Sequence, residues 1–197
     1  MGLEAVVFDL DGVIRHWDRE VTDIIEERHG LARGSIVATG FGAELGPLVV
    51  TGAIDFDEWT VRLGDRLGAP AAVTEWTDGR GRVDPEALAL VADIRSAGVA
   101  VGLLSNATTR LEEDLAVLGI DGCFDHIFNT ARLGVCKPAP AVYRRVLDAL
   151  GLEADRVAFT DDTPGWAEAA SRIGMHGLPF DGVDRLRREL QHLGLRL

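Results

Sequence analysis

Four short stretches hold the residues whose chemistry stands out. VVFDLDGV ends an apolar run with Asp9 and Asp11 and follows them with Gly12. VGLLSN ends in Ser105 and Asn106, KPAP opens with Lys137, and VAFTDD ends in Asp161 and Asp162. Side chains alternate along a strand, so Asp9 and Asp11 emerge on one side if the first strand persists. Carboxylates gathered in one cleft repel unless a cation neutralises them. An all-oxygen donor set suits Mg2+, which takes a few carboxylates plus substrate oxygens. A lysine and a hydroxyl beside such a metal fit a phosphoryl group, whose charge lies on its non-bridging oxygens. One carboxylate can be a nucleophile, splitting the transfer into two steps through an acyl-phosphate. A second can protonate the leaving oxygen and then activate water.

Each stretch has a plainer reading by itself. Asp11-Gly12 suits a turn. Ser105 and Asn106 suit a helix cap, Lys137 suits open surface, and Asp161-Asp162 lead into a helix through Thr163 and Pro164. The chemical reading gains weight because the acids, the serine and the asparagine end apolar runs, and Lys137 opens a helix. Ligands in open parallel sheets sit beyond the carboxyl ends of the strands.

The elements that must position these residues are legible. AVVFDL (5–10), VAVGLLS (99–105), HIFNT (126–130), RVAFTD (156–161) and HGLPF (176–180) are apolar, without clean alternation, as strands of a sheet covered on both faces should be. Helical patterns separate the later runs. Asp84-Pro85 supplies a cap and an initial proline ahead of Leu88, Val91 and Ile94. Leu111, Leu115 and Leu118 form a second stripe, and Val142, Val146 and Leu150 a third. Ala167–Ile173 is a short Ala-rich helix, and DRLRRELQHL is amphipathic. Strand and helix in alternation predict an α/β fold with a Rossmann-like parallel sheet.

The first interval breaks that rhythm. The segment between Leu10 and Val99 is too long for one crossover. Val21–Arg28 and Phe56–Leu67 read as helices, and GFGAELG, LGAP and DGRGR as turns. Residues 17–80 therefore read as a small helical insertion, a cap with Trp59 and Trp76 in its interior, on a core of residues 1–16 and 81–197. Segment 36–50 is apolar and Gly-rich without a clear assignment. GFGAELG (40–46) follows no strand and lacks the fingerprint spacing of a nucleotide loop.

Composition narrows the function. The chain of 197 residues carries a net charge of −12, which argues against binding a nucleic-acid backbone. A bound divalent cation reverses the local field of an acidic site, so a small phosphorylated substrate stays compatible. No apolar run approaches the roughly 20 residues of a membrane span, and no basic segment precedes an apolar one at the N-terminus. A cytoplasmic protein without a membrane partner, monomer or homodimer, is the expectation. Cys123 and Cys136 are too few and too far apart for a zinc site and read as reduced structural thiols.

The order DLDGV, a strand ending in Ser, Lys-Pro, then Asp-Asp after a strand resembles the haloacid dehalogenase (HAD) superfamily of phosphohydrolases over nearly the whole chain, with the insertion similar to that family's type 1 helical cap. The resemblance implies a Mg2+-dependent phosphatase acting on a small phosphorylated metabolite. Asp9 is then nucleophile and metal ligand. Asp11 is general acid and base, its backbone carbonyl reaching the metal. Ser105 and Asn106 hold phosphoryl oxygens, Lys137 offsets charge, and Asp161 and Asp162 hold Mg2+, with Asp162 ranked first by its spacing to Gly174. Trp166 departs from the pattern, standing where the family often has Asp or Asn. The rivals are a 2-haloacid dehalogenase, a phosphomutase and a catalytically idle binding or regulatory domain. The dehalogenases resemble this core but lack an acid at the Asp11 position, because a halide leaving group needs no proton. His16 and Trp17 lie where substrate would enter and read either as specificity contacts or as packing between cap and core. Arg15 faces either an anionic substrate or a surface acid.

Overall fold

β1 (Ala5–Phe8) is the centre of the molecule. In the computed structural model, which describes residues 2–197, it lies between β4 (Ala100–Ser105) and β6 (Val157–Asp161), with β5 (His126–Asn129) and β7 (His176–Pro179) outside them. The order β5-β4-β1-β6-β7 is parallel throughout. Alternation along β1 explains why its sequence is apolar at every position. Val6 and Phe8 face one layer, with α6 (Pro85–Ser96), α7 (Leu111–Val117) and α11 (Val183–His192). Ala5 and Val7 face the other, with α9 (Pro140–Leu150) and α10 (Pro164–Ser171). Each large aliphatic side chain buried this way contributes about 1.5–3 kcal/mol. Both faces are covered, so the sheet has no polar side to announce it.

Between β2 (Arg15–His16) and β3 (Arg82–Val83) the chain forms five helices: α1 (Arg19–Arg28), α2 (Ser35–Gly40), α3 (Gly46–Val50), α4 (Phe56–Leu67) and α5 (Pro70–Asp78). They enclose their own apolar cluster, which includes Ile36, Leu45, Trp59 and Leu63. Trp59 and Trp76 meet at a tilt, the exposed Phe41 ring packs against both, and the Trp59 indole donates to Gly40 O at 2.9 Å. α2 has no cap of its own, because Gly34 supplies no side chain. The fully buried Glu26 of α1 takes that role, accepting the amides of Gly34 at 2.6 Å and Ile36 at 2.8 Å. This long-range cap keeps the carboxylate hydrogen-bonded in an otherwise apolar interior.

β2 and β3 pair antiparallel where the chain leaves and re-enters the sheet domain, and Asp84 N donates to Ile14 O at 2.8 Å beside them. The helices approach the carboxyl edge of the sheet at two further points. Phe56 N donates to Thr109 Oγ1 at 2.9 Å, and Thr130 Oγ1 donates to Val50 O at 2.7 Å. Thr130 opens α8 (Thr130–Leu133), directly after β5. Among the described residues, no helix is long and apolar enough to cross a membrane.

Candidate active site

Sheet register gathers the predicted residues. Phe8 pairs with Leu103 on one side and Thr160 on the other, and Asp9 N donates to Thr160 O at 2.9 Å. Asp9, Ser105 and Asp161 therefore leave adjacent strands at the same edge. Asp9 and Asp161 are buried, and the ammonium of Lys137 sits between them. Its Nζ is 2.8 Å from Asp9 Oδ1 and 2.7 Å from Asp161 Oδ2. The opposite oxygen of Asp161 accepts from Thr163 N at 2.8 Å, and Asp9 Oδ1 also accepts from Leu10 N at 2.7 Å.

The lysine reaches this place through Asn106. Its amide donates to Lys137 O at 3.0 Å and its carbonyl oxygen accepts from Lys137 N at 2.9 Å. Asn106 thus grips the backbone of Lys137, at the start of the Lys137-Pro138 cis peptide. This is a different contact from the phosphoryl one expected of it. Ser105 is buried at the end of β4, in register with Asn129.

Asp162 is exposed and approaches from the other side, over Gly12. A Cβ at Gly12 would lie 2.0 Å from Asp162 Oδ2, and the Gly12 φ of 85° is one that other residues rarely adopt. The glycine after Asp11 is required for both reasons. Asp9, Asp161 and Asp162 can each bring one oxygen within 4.8 Å of the others. Of the two adjacent acids, Asp161 shares the buried ammonium with Asp9, while Asp162 is the exposed one.

Three clustered carboxylates, two of them sharing one ammonium, leave unbalanced negative charge. Burial pushes the Asp9 carboxyl up to about 7 against the pull of Lys137, with Asp161 pushing the same way. Burial likewise raises Asp161, again opposed by Lys137. An all-oxygen set short of positive charge fits a hard divalent cation.

Asp11 stands apart from this cluster. Its carboxylate accepts Arg15 Nε at 2.7 Å and Nη2 at 3.1 Å, and Trp17 Nε1 at 2.7 Å. Arg15, left open in sequence between a substrate and a surface acid, meets the acid two residues from the candidate nucleophile. Its guanidinium lies 4.6 Å from the centroid of the Trp17 ring. Behind it, Asp114 of α7 has Arg15 Nη1 at 3.8 Å, Arg80 Nε at 2.8 Å and Arg110 Nε at 3.0 Å. Burial raises the Asp114 carboxyl, opposed by Arg110, Arg80 and Arg15. Arg110 and Asp114 stand at helical spacing, but no sequence pattern links Arg15 and Arg80 to them. His16 turns to Asp84, the cap of α6, with Nε2 3.2 Å from Oδ2. Burial alone would raise Asp84. The amides of Ala87 and Glu86 and the His16 ring outweigh it and hold the carboxyl below its usual range.

Trp166 has a place as well. Lys137 Nζ lies 4.6 Å from the Trp166 ring centroid and 5.5 Å from that of Phe159. Where the family pattern often puts a carboxylate or amide, this chain presents an aromatic face to the shared ammonium.

The family model for haloacid dehalogenase-like hydrolases matches residues 3–174. The chain belongs to that family. It is 28% identical to sesquiterpene phosphatase astK of Aspergillus oryzae over 89% of this chain and 88% of that protein. It is also 28% identical to phosphatase MT3486 of Mycobacterium tuberculosis, over 98% and 96%. Pig bifunctional epoxide hydrolase 2 is 26% identical over 97% of this chain, which spans only 39% of that protein's length. Among solved structures, a predicted HAD-like family hydrolase from Porphyromonas gingivalis superposes with a TM-score of 0.79 at 22% identity, over 97% and 99% of the two chains. A HAD family enzyme from Bacteroides thetaiotaomicron, in complex with magnesium and inorganic phosphate, gives 0.74 at 17% identity over 90% and 94%. The L-2-haloacid dehalogenase of Xanthobacter autotrophicus with chloropropionic acid covalently bound gives 0.68 at 20% identity over 99% and 85%. Phosphatase and dehalogenase relatives thus share the fold, and site chemistry must separate them.

Proposed function

We propose that the protein is a Mg2+-dependent phosphatase that hydrolyses a small phosphorylated metabolite through an aspartyl-phosphate on Asp9, under a cap formed by residues 17–80. The observation that carries this reading is the buried Lys137 ammonium shared by Asp9 and Asp161, with Asp162 completing an acidic cluster beside it. Asp9, Asp161, Asp162 and the backbone carbonyl of Asp11 would hold Mg2+, which supplies charge neutralisation to the phosphoryl oxygens. Asp9 attacks phosphorus as the bond to the leaving oxygen breaks. Lys137 keeps the nucleophile's second neighbour, Asp161, from repelling it and stabilises the charge on the transferring group. Ser105 binds a phosphoryl oxygen, and Asn106 acts by fixing the Lys137 backbone. Asp11 gives its proton to the leaving oxygen and then takes one from the water that attacks the phosphorus of the acyl-phosphate.

Asp11 also favours this reading over a dehalogenase, since a departing halide needs no proton. The phosphatase relatives at 28% identity support the same side. The test is hydrolysis of p-nitrophenyl phosphate by the purified protein with Mg2+, abolished by EDTA and by Asp9→Asn. Absence of turnover across a broad panel of phosphoesters refutes the proposal, and release of chloride from a chloroacid would assign the dehalogenase reaction instead.

A further inference from the structure

We propose that Arg15 and Trp17 are positioning residues that fix the proton-transferring carboxyl of Asp11. The inference rests on the phosphatase reading and deepens it. Asp9 and Asp161 are held by burial, but the Asp11 side chain is 40% exposed. An exposed carboxyl rotates freely unless donors fix it, and a displacement of about 1 Å in a reacting group costs on the order of a hundredfold in rate. Here three N–H groups fix it. The guanidinium engages both oxygens, through Nε at 2.7 Å and Nη2 at 3.1 Å, and the Trp17 indole adds a third bond at 2.7 Å.

The holder is itself held. The Arg15 side chain is 5% exposed, stacks on Trp17 and has Asp114 behind it. Its backbone closes the loop that carries Asp11, with Arg15 N donating to Leu10 O and Gly12 N donating to Arg15 O, both at 2.8 Å. Fold stability alone is a poor reason for this arrangement. Arg15 Nη1 is buried without a hydrogen-bond partner, and a buried ion pair is often matched or bettered by apolar side chains of the same volume. A bidentate fork has what an apolar residue lacks, control over where two carboxyl oxygens point.

Protonation matters in proportion to the basicity of the leaving oxygen. An alkoxide requires the Asp11 proton as its bond to phosphorus breaks, whereas nitrophenolate departs with little help. The comparison to make is kcat/KM, which reports steps up to leaving-group departure, for an alkyl phosphate and for p-nitrophenyl phosphate with Mg2+. Arg15→Gln should lower the alkyl-to-aryl ratio by about tenfold or more, since general acids contribute about a hundredfold to ten-thousandfold. Arg15→Lys should recover part of the ratio. Trp17→Phe keeps the ring beneath the guanidinium, removes only the N–H, and should lower the ratio by a smaller factor in the same direction. That variant decides the matter if Arg15→Gln does not fold. Equal losses on both substrates, or an unchanged ratio in Trp17→Phe and Arg15→Gln, overturn the positioning role while leaving the phosphatase reading intact. Wild-type protein that turns over neither ester overturns that reading and this inference with it.

Discussion

Replacing Lys137 by Met keeps the volume of the side chain and deletes its charge. The ammonium is fully buried and makes two short ion pairs, 2.8 Å to Asp9 and 2.7 Å to Asp161. Removing one partner of a buried pair costs about 3–5 kcal/mol, because the remaining charge is left unpaired in a poorly solvated site. Here two carboxylates lose the same partner. In a chain of this length, about 1 kcal/mol shifts Tm by roughly 2–4 °C, so the metal-free variant should melt about 6–20 °C below wild type near pH 8. The penalty must shrink in acid. Burial already pushes Asp9 up to about 7 and raises Asp161, and loss of Lys137 removes the group that opposes both shifts. At pH 5, below the value of about 7 to which Asp9 is already raised, that carboxyl carries its proton, and the cost falls toward that of the lost hydrogen bonds, about 1–2 kcal/mol. Urea unfolding of both proteins in EDTA, followed by far-UV circular dichroism at the two pH values, measures this. A cost below about 1 kcal/mol at the higher pH, or an equal cost at both, refutes the reasoning that Lys137 is the counter-ion of two ionised acids.

Three further outcomes follow from the same geometry. Asp9 has its carboxyl raised from 3.8 to about 7, so the stability it contributes is present in acid and is lost as pH climbs through 7. Metal-free Asp9→Asn should therefore melt above wild type at alkaline pH, with the gap narrowing as pH falls below 7 and closing near the ordinary value of 3.8, readable by calorimetry. Gly12→Ala places a methyl 2.0 Å from Asp162 Oδ2. It should weaken Mg2+ binding by about tenfold or more in a calorimetric titration, as changes around a ligand do. Trp166→Leu should destabilise the metal-free protein to urea by about 0.5–2 kcal/mol, the range for a cation held over an aromatic face, while Trp166→Phe keeps most of that contact.

What the sequence made legible, and what it did not, has physical causes. β1, β4 and β6 were readable because burial on both faces makes each a nearly unbroken apolar run, and the half-buried edge strands β5 and β7 because short apolar stretches stand at the right intervals between helical patterns. Asp9, Ser105 and Asp161 were readable because parallel register carries strand ends to one edge. The β2–β3 ribbon was not, since two residues cannot display a period of two. α2 and α3 lie in the segment that resisted assignment. α2 begins after a left-handed glycine and borrows its cap from Glu26, and α3 is five residues long without a side-chain cap. The Asn106 grip on Lys137 and the approach of Arg15 and Arg80 to Asp114 join residues far apart in the chain, and no local pattern encodes such contacts. Trp166 read in sequence as the loss of a polar group, and only its position over Lys137 reveals what it contributes.

The most direct test of a nucleophilic Asp9 is an acid quench of wild-type protein turning over a phosphoester with Mg2+, followed by peptide mass spectrometry. The expected result is a peptide containing Asp9 that carries one phosphoryl group, absent without Mg2+ and absent in Asp9→Asn. Undiminished turnover by Asp9→Asn, or steady turnover with the phosphoryl group trapped on another residue, would contradict it.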